Sequence, residues 1–284
     1  MAGFRLPAET RLGRVRLQVA SLERSVAYYE RILGLRVIAG DGDRAVLGTE
    51  ADRRPLVELR QRAGVRRVPR GGLLGLYHFA ILLPDRASLG RFLPQLETLG
   101  ESAGVADHAV SEALYLTDPD GLGIEVYADR PRSTWRYDSG ELHMTTEPLD
   151  VASLIEVGGR QPWTGMPSAT TIGHVHLFVA DLSAAARFYD AGVGFAPTVK
   201  KYPGALFLSA GGYHHHLGTN TWRAESPPAS ESDARLLEWE VLLPREGDCE
   251  AAGRSIEAAG FPVHREDGAW LATDPWGTTV ALRA

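Results

Sequence analysis

The sequence predicts an α+β protein built from four βαβββ units paired into two curled sheets. Three observations carry that expectation. One order of elements, a strand, a helix and then short strands, recurs four times along the chain. VASLERSVAYYERILGL in the first recurrence matches VADLSAAARFYDAGVGF in the third, and the turn TDPDG of the second matches TDPWG of the fourth. Self-similarity at a fixed period fixes the organisation before any single element is read. A lone unit would leave one face of its sheet open, so the units must pair to bury it.

The elements follow in order. Residues 12–60 give a strand (GRVRLQV), then a helix (SLERSVAYYERIL) with Ser21 as N-cap and Gly34 as stop, then short strands ending in PLVELRQ. Residues 77–127 repeat this with YHFAILL, a helix from about Ala87 to Leu99 stopped by Gly100, and the strands ALYLTD and GIEVY. Residues 172–220 do so again with GHVHLFV, a helix, ALFLSAGG and YHHHLGTNTW, the last read as a strand. Residues 237–283 close the series with LEWEVLLP, a helix near Cys249 to Gly260, WLATDPWG and TTVALRA. The expected division is therefore two units within 1–134, a connector over 135–170 that could drape over a surface, and two units within 171–284.

Composition narrows the function classes. At 284 residues with 44% hydrophobic and 23% charged side chains, the chain suits a soluble two-domain protein with real cores. Its 36 acids against 30 bases give a net charge of −6 with no basic block, which argues against nucleic-acid binding. No apolar run is long enough to cross a bilayer and MAGFRLPAETRLGR lacks the apolar core of a secretory signal, so a cytoplasmic location with no membrane partner is expected. A single cysteine, Cys249, excludes an intramolecular disulfide and a thiolate cluster. Any metal must then be held by nitrogen and oxygen.

The stretch Tyr77–Tyr127 offers such ligands. His78 starts an apolar run bounded by Pro84, and Glu125 lies in GIEVY directly after the turn Asp118-Pro119-Asp120-Gly121. With a second histidine from elsewhere, they would form two imidazoles and one carboxylate on one face of a metal, an arrangement typical of non-haem Fe(II). Each residue also has a plainer reading. A lone histidine on an apolar strand is more often a core residue, and Glu125 between Ile124 and Val126 suits a solvent-facing acid in ordinary alternation.

The openings LYHFAILLPD and GHVHLFVADL, the closing DHAVSEALYLTDPDGLGIEVY and the run GYHHHLGTN resemble the vicinal oxygen chelate superfamily. More narrowly, they are similar to the extradiol ring-cleaving dioxygenases of the catechol 2,3-dioxygenase type, over nearly the whole chain. The resemblance implies a glyoxalase-like fold and a ligand set of His78, Glu125 and His174 holding Fe(II), or occasionally Mn(II). It implies an acid/base at His215, with His216 the alternative because the register there is open by one residue. It also implies further site residues at His108 and Tyr115, and as partners a small aromatic diol and dioxygen. His176, two residues from His174 and on the same face, reads as structural or supporting.

The sequence departs from the best-known members of that family, in which the last two units hold the metal. The fourth unit has Glu238 and Ala281 where ligands belong, and the first opens on Arg14. A full set exists only if unit two pairs with unit three and unit one with unit four, leaving Arg14 and Ala281 facing each other across an empty cleft. The competing pairing, one with two and three with four, would group His78, Glu125 and Glu58 in one half and His174, His216 and Glu238 in the other. Two other functions share the scaffold, a glyoxalase-like isomerase or lyase using zinc or nickel and a metal-free small-molecule binding protein. Which catechol is preferred and whether the chain forms a homo-oligomer stay open at this level.

Overall fold

The computed structural model describes residues 3–284. Unit one comprises β1 (Arg11–Val19), α1 (Leu22–Tyr28) running into a wide turn (Tyr29–Leu33), β2 (Arg36–Asp41), β3 (Arg44–Gly48) and β4 (Pro55–Gln61). Unit two comprises β5 (Gly75–Leu82), α2 (Arg86–Thr98), β6 (Gly104–Asp107), β7 (Ser111–Thr117) and β8 (Gly123–Asp129). The connecting segment carries the short hairpin β9 (Tyr137–Asp138) and β10 (Glu141–Leu142), then α3 (Val151–Gly158). Unit three comprises β11 (Thr171–Phe178), α4 (Leu182–Ala186) with its own wide turn (Arg187–Val193), β12 (Ala196–Val199), β13 (Ala205–Ser209) and β14 (Leu217–Asn220). Unit four comprises β15 (Arg235–Leu242), α5 (Glu246–Ala258), β16 (Val263–Glu266), β17 (Ala269–Thr273) and β18 (Thr279–Arg283).

The helix boundaries follow from cap chemistry. Ser21 Oγ accepts the Arg24 amide at 3.3 Å, and Asp85 and Asp181 cap α2 and α4 in the same way at 2.7 and 2.6 Å. Such caps satisfy amide donors that a helix start leaves unpaired. Gly34 ends the first helix at φ +74°, a left-handed conformation that other residues rarely adopt.

Two eight-stranded sheets result, ordered β16-β17-β18-β15-β1-β4-β3-β2 and β12-β13-β14-β11-β5-β8-β7-β6. Each sheet thus joins one unit from before the connecting segment to one from after it, unit one with four and unit two with three. In each the two units meet along an antiparallel pair of opening strands, β1 with β15 and β11 with β5. The alternate faces of these strands, with Val15, Leu17, Phe79, Ile81, Val175, Leu177, Trp239 and Val241, enter one core shared with the helices. Consecutive units are tied by a repeated device. The Tyr29 hydroxyl donates to Asp118 of the TDPDG turn at 3.3 Å, and the Tyr189 hydroxyl to Asp274 of TDPWG at 2.8 Å.

The sheet of units one and four does not keep the expected empty cleft between Arg14 and Ala281. Buried Glu58 receives Arg14 at 3.1 Å, Arg16 at 3.0 Å, Arg44 at 3.3 Å and Arg60 at 2.8 Å, and Arg16 reaches Glu238 at 3.0 Å. Glu240 bridges Arg14 and Arg283, each at 3.1 Å. Ala281 packs instead with Ala269 and Leu271. Ion pairs therefore fill the concave face that the other sheet uses for ligands. Burial works against the charge on Glu58, but Arg16 and Arg14 outweigh it and hold the carboxyl below its usual range. A depressed folded value stabilises the fold above the ordinary carboxylate range and loses that contribution as pH falls through the folded value. Glu58→Ala would leave four arginines facing one another. A loss of about 2–4 kcal/mol is expected, towards the lower end because the arginines reach water, with metal content unchanged; urea unfolding beside metal analysis checks it.

Candidate metal centre

In the sheet of units two and three, register decides which side chains meet. His176 of β11 lies opposite His78 of β5, and His174 opposite Ala80. Ala80 in turn neighbours Glu125 of β8, which neighbours Tyr115 of β7. All of these project from one face, because partners across a ladder and residues two apart share a side. The sequence left the wet side of Glu125 undecided; here it faces the concavity while Ile124 and Val126 enter the core. Small Ala80 keeps the middle open. Gly173 is needed beside it, since a Cβ there would lie 1.8 Å from the Tyr127 hydroxyl oxygen.

His78, Glu125 and His174 are brought together fully buried, with one potential ligand atom from each within 4.8 Å of the others. His78 Nε2 lies 3.0 Å and His174 Nε2 3.1 Å from the same Glu125 oxygen, Oε2. Two ligand atoms bound at right angles around one ion, each about 2.1 Å away, are separated by about 3.0 Å. Despite its closeness, His78 Nε2 has no partner in hydrogen-bond geometry, a costly state for a buried polar atom. The nitrogen is aimed beside the carboxylate, as a ligand to a shared ion would be, so the residues fit a divalent metal.

The electrostatics agree. Burial lowers His174 to about 4, with Glu125 only partly opposing it, so the ring is neutral and its lone pair available near pH 7. Burial disfavours charge on Glu125 too, but His174 and His78 outweigh it and hold the carboxyl well below its ordinary value. Two imidazole nitrogens and one carboxylate are a donor set for a divalent transition ion.

The triad opens onto a cavity of about 260 Å³. His215 lines it, its ring 4.1 Å from that of His174, and burial first, then the neighbouring imidazoles, push it well below the ordinary histidine value. It is a neutral base. His216 is directed away, with Nδ1 accepting the Ala210 amide at 3.2 Å. The three histidines do not lie within a strand as their sequence suggested. They form an irregular approach to β14, so His214 and His215 turn their Nδ1 atoms towards each other at 2.7 Å.

His108 and Tyr115 also line the cavity and pair directly, His108 Nε2 to Tyr115 Oη at 2.7 Å. His108 Nδ1 lies 2.7 Å from the Thr145 carbonyl, which only accepts, so Nδ1 carries a proton. Burial first and then the Glu125 charge hold the Tyr115 phenol well above its usual value, hence protonated. His176 lines the cavity with Nε2 accepting from Asn220 at 3.0 Å, matching a supporting place. Sequence reasoning missed the remaining wall: Tyr77, Tyr202, Phe207, Trp222 and residues Met144 to Thr146 of the connecting segment. Thr146 is hydrogen-bonded to Tyr202 at 3.0 Å, which ties that segment over the site. Aromatic residues scattered over two strands and two loops leave no motif to read.

Residues 11–126 and 171–282 match the family described as the Glyoxalase/Bleomycin resistance protein/Dioxygenase superfamily, and the chain belongs to it. Within reach of that family, it is 42% identical over 271 residues to Catechol-2,3-dioxygenase of Bacillus subtilis (strain 168), covering 94% of both chains. Among solved structures it is similar to a protein of Bacillus subtilis subsp. subtilis str. 168, with TM-score 0.65 and 14% identity over 98% of this chain and 86% of that one. Glyoxalase I from Zea mays follows with TM-score 0.56 and 19% identity, over 96% and 92% of the two chains. At such identities these structures speak for the fold alone. Among the described residues no helix is long and apolar enough to cross a membrane.

Proposed function

We propose that the chain is an Fe(II)-dependent extradiol dioxygenase that cleaves catechol or alkyl-substituted catechols next to the diol, giving muconic semialdehydes. The observation that carries this reading is the approach of His78 Nε2 and His174 Nε2 to one Glu125 oxygen at 3.0 and 3.1 Å, beside a cavity. The 42% identity to Catechol-2,3-dioxygenase over most of the chain supports the reaction class.

In this reading His78, Glu125 and His174 hold Fe(II), with Mn(II) the alternative ion. Such a metal would supply Lewis-acid and redox chemistry toward a diol and dioxygen. The chain does the rest. The aromatic rings of Tyr77, Tyr202, Phe207 and Trp222 sandwich a flat ring and exclude water. Neutral His215 takes a hydroxyl proton at Nε2 and later returns it, while Tyr115 and His108 offer a hydroxyl and an imidazole on the other side. No lysine or arginine appears among the described residues lining the cavity, and Glu125 is anionic, so neutral catechols suit it better than carboxylated ones.

Iron-loaded protein handled anaerobically and then given catechol and air should consume one dioxygen per catechol and form a yellow product. Carboxylated catechols should show kcat/KM at least about tenfold lower, from an extra anion with no lysine or arginine in the cavity wall to pair it. A fully iron-loaded chain that consumes no dioxygen with catechol or its 3- and 4-alkyl derivatives would overturn the reading.

A further inference from the structure

Behind His215, on the side away from the cavity, a chain of polar groups that the metal site does not use runs from buried rings to half-buried Asp129. His214 Nε2 is 2.9 Å from Asp129 Oδ1, and His214 Nδ1 is 2.7 Å from His215 Nδ1. The Tyr213 hydroxyl donates to the same Asp129 oxygen at 3.2 Å, and Tyr127 lies 2.7 Å from Tyr213. Tyr213 spends its hydrogen on Asp129, so Tyr127 donates to Tyr213. The whole set is ordered outward from one carboxylate.

For an uncharged His214, donor counting orders the protons. An ionised carboxylate only accepts, so His214 Nε2 carries a hydrogen. In a neutral ring, His214 Nδ1 is then a bare acceptor, and the hydrogen between the two imidazoles belongs to His215 Nδ1. His215 Nε2 is left with its lone pair on the side of the cavity that the ring lines. Without this support a neutral imidazole could equally carry its hydrogen on Nε2, which would present a donor to the substrate.

We propose that Asp129 and His214 are positioning residues for the ring-cleavage reaction: they lock His215 in the Nδ1–H form so that Nε2 serves as proton acceptor. This rests on the dioxygenase reading for the role of His215, whereas the tautomer itself does not depend on it. When a hydroxyl proton passes from the substrate to Nε2, the O–H bond breaks, its electron pair stays on oxygen and His215 becomes imidazolium. Its Nδ1–H remains donated to His214, whose Nε2–H remains donated to Asp129, and that negative charge offsets the new positive one. No proton need travel along the chain for the support to act.

The test is nitrogen-15 NMR of the histidine rings in the zinc-loaded full-length chain, and again in the metal-free chain, at one neutral pH. His215 is expected to show a protonated Nδ1 and an unprotonated, pyridine-type Nε2. His214 should show the opposite pattern. A protonated Nε2 on His215 overturns the proposal whatever the enzyme's activity, and needs no variant to fold. His214→Phe keeps a ring but removes the acceptor. It should lower kcat about 10- to 100-fold while the KM for catechol and bound iron stay within about twofold, because part of the general-base contribution is lost. His214→Asn can place its amide oxygen near the lost Nδ1 and should recover much of the loss. Wild-type kcat in His214→Phe, or equal loss in both variants, would also overturn it. Absence of dioxygen uptake by the wild-type chain, with the expected tautomer present, would instead sink the dioxygenase reading and leave the hydrogen-bond order intact.

Discussion

Glu125→Ala is expected to strip the chain of tightly bound metal, weakening affinity by at least about 100-fold, since even loss of a group supporting a metal ligand costs 10- to 100-fold. Dioxygen uptake should fall to background with it. The reason is charge as much as geometry. Glu125 is the only anion in the triad, and both histidine Nε2 atoms are placed by reference to its Oε2. The fold should survive, because Ile124 and Val126 on the opposite face keep the core contacts of β8. Metal analysis after purification, with circular dichroism as the control, decides it. Glu238→Ala gives the contrast. Glu238 occupies the place in unit four that His78 holds in unit two, but it pairs with Arg16, so its removal should leave metal and kcat unchanged. Retention of stoichiometric metal by Glu125→Ala would refute the ligand assignment.

His215→Ala should retain metal but lose about 10²–10⁴-fold in kcat, the usual worth of a positioned general base. KM for catechol should move little, since the aromatic walls and the metal still hold the ring. The separation between unchanged iron content and a collapsed kcat distinguishes proton transfer from ligation. This matters here because the His215 ring lies only 4.1 Å from that of His174. Steady-state kinetics with iron quantified in the same samples makes the comparison. Loss of iron in step with activity would move His215 into the ligand set.

The sequence disclosed what is periodic. Ser21, Gly34 and the two TDP turns marked where helices and strands begin and end, because caps and turns depend on single residues with particular chemistry. The spacing of His174 and His176 told which residues share a face, because strand alternation has period two. The face itself was not legible. Glu125 lies between two apolar neighbours, and only the register against Ala80 puts it in the concavity. The triple histidine was misread as a strand because local pattern cannot register that Gly211 and Gly212, both at positive φ, turn the backbone just before it. Arg14 and Glu58 were equally opaque. Charged residues on a strand do not show which partners they will meet: Arg14 and Glu58 lie on neighbouring strands of unit one, and the rest of the network comes from β15 and β18 at the other end of the chain. The wall formed by Met144 to Thr146 depends on where a long connecting segment settles, which no repeat specifies.

One metal centre is expected, built from units two and three on either side of the connecting segment, with ion pairs at the corresponding positions of units one and four. Anomalous diffraction at the iron edge, from crystals of iron-loaded protein grown anaerobically, tests it most directly. One strong peak is expected, touching His78 Nε2, His174 Nε2 and the Glu125 carboxylate, with no peak beside Glu58, Glu238 or Glu240. Iron bound among those three glutamates, or at Asp129 and His214 with none at His78, would rule out His78, Glu125 and His174 as the ligand set.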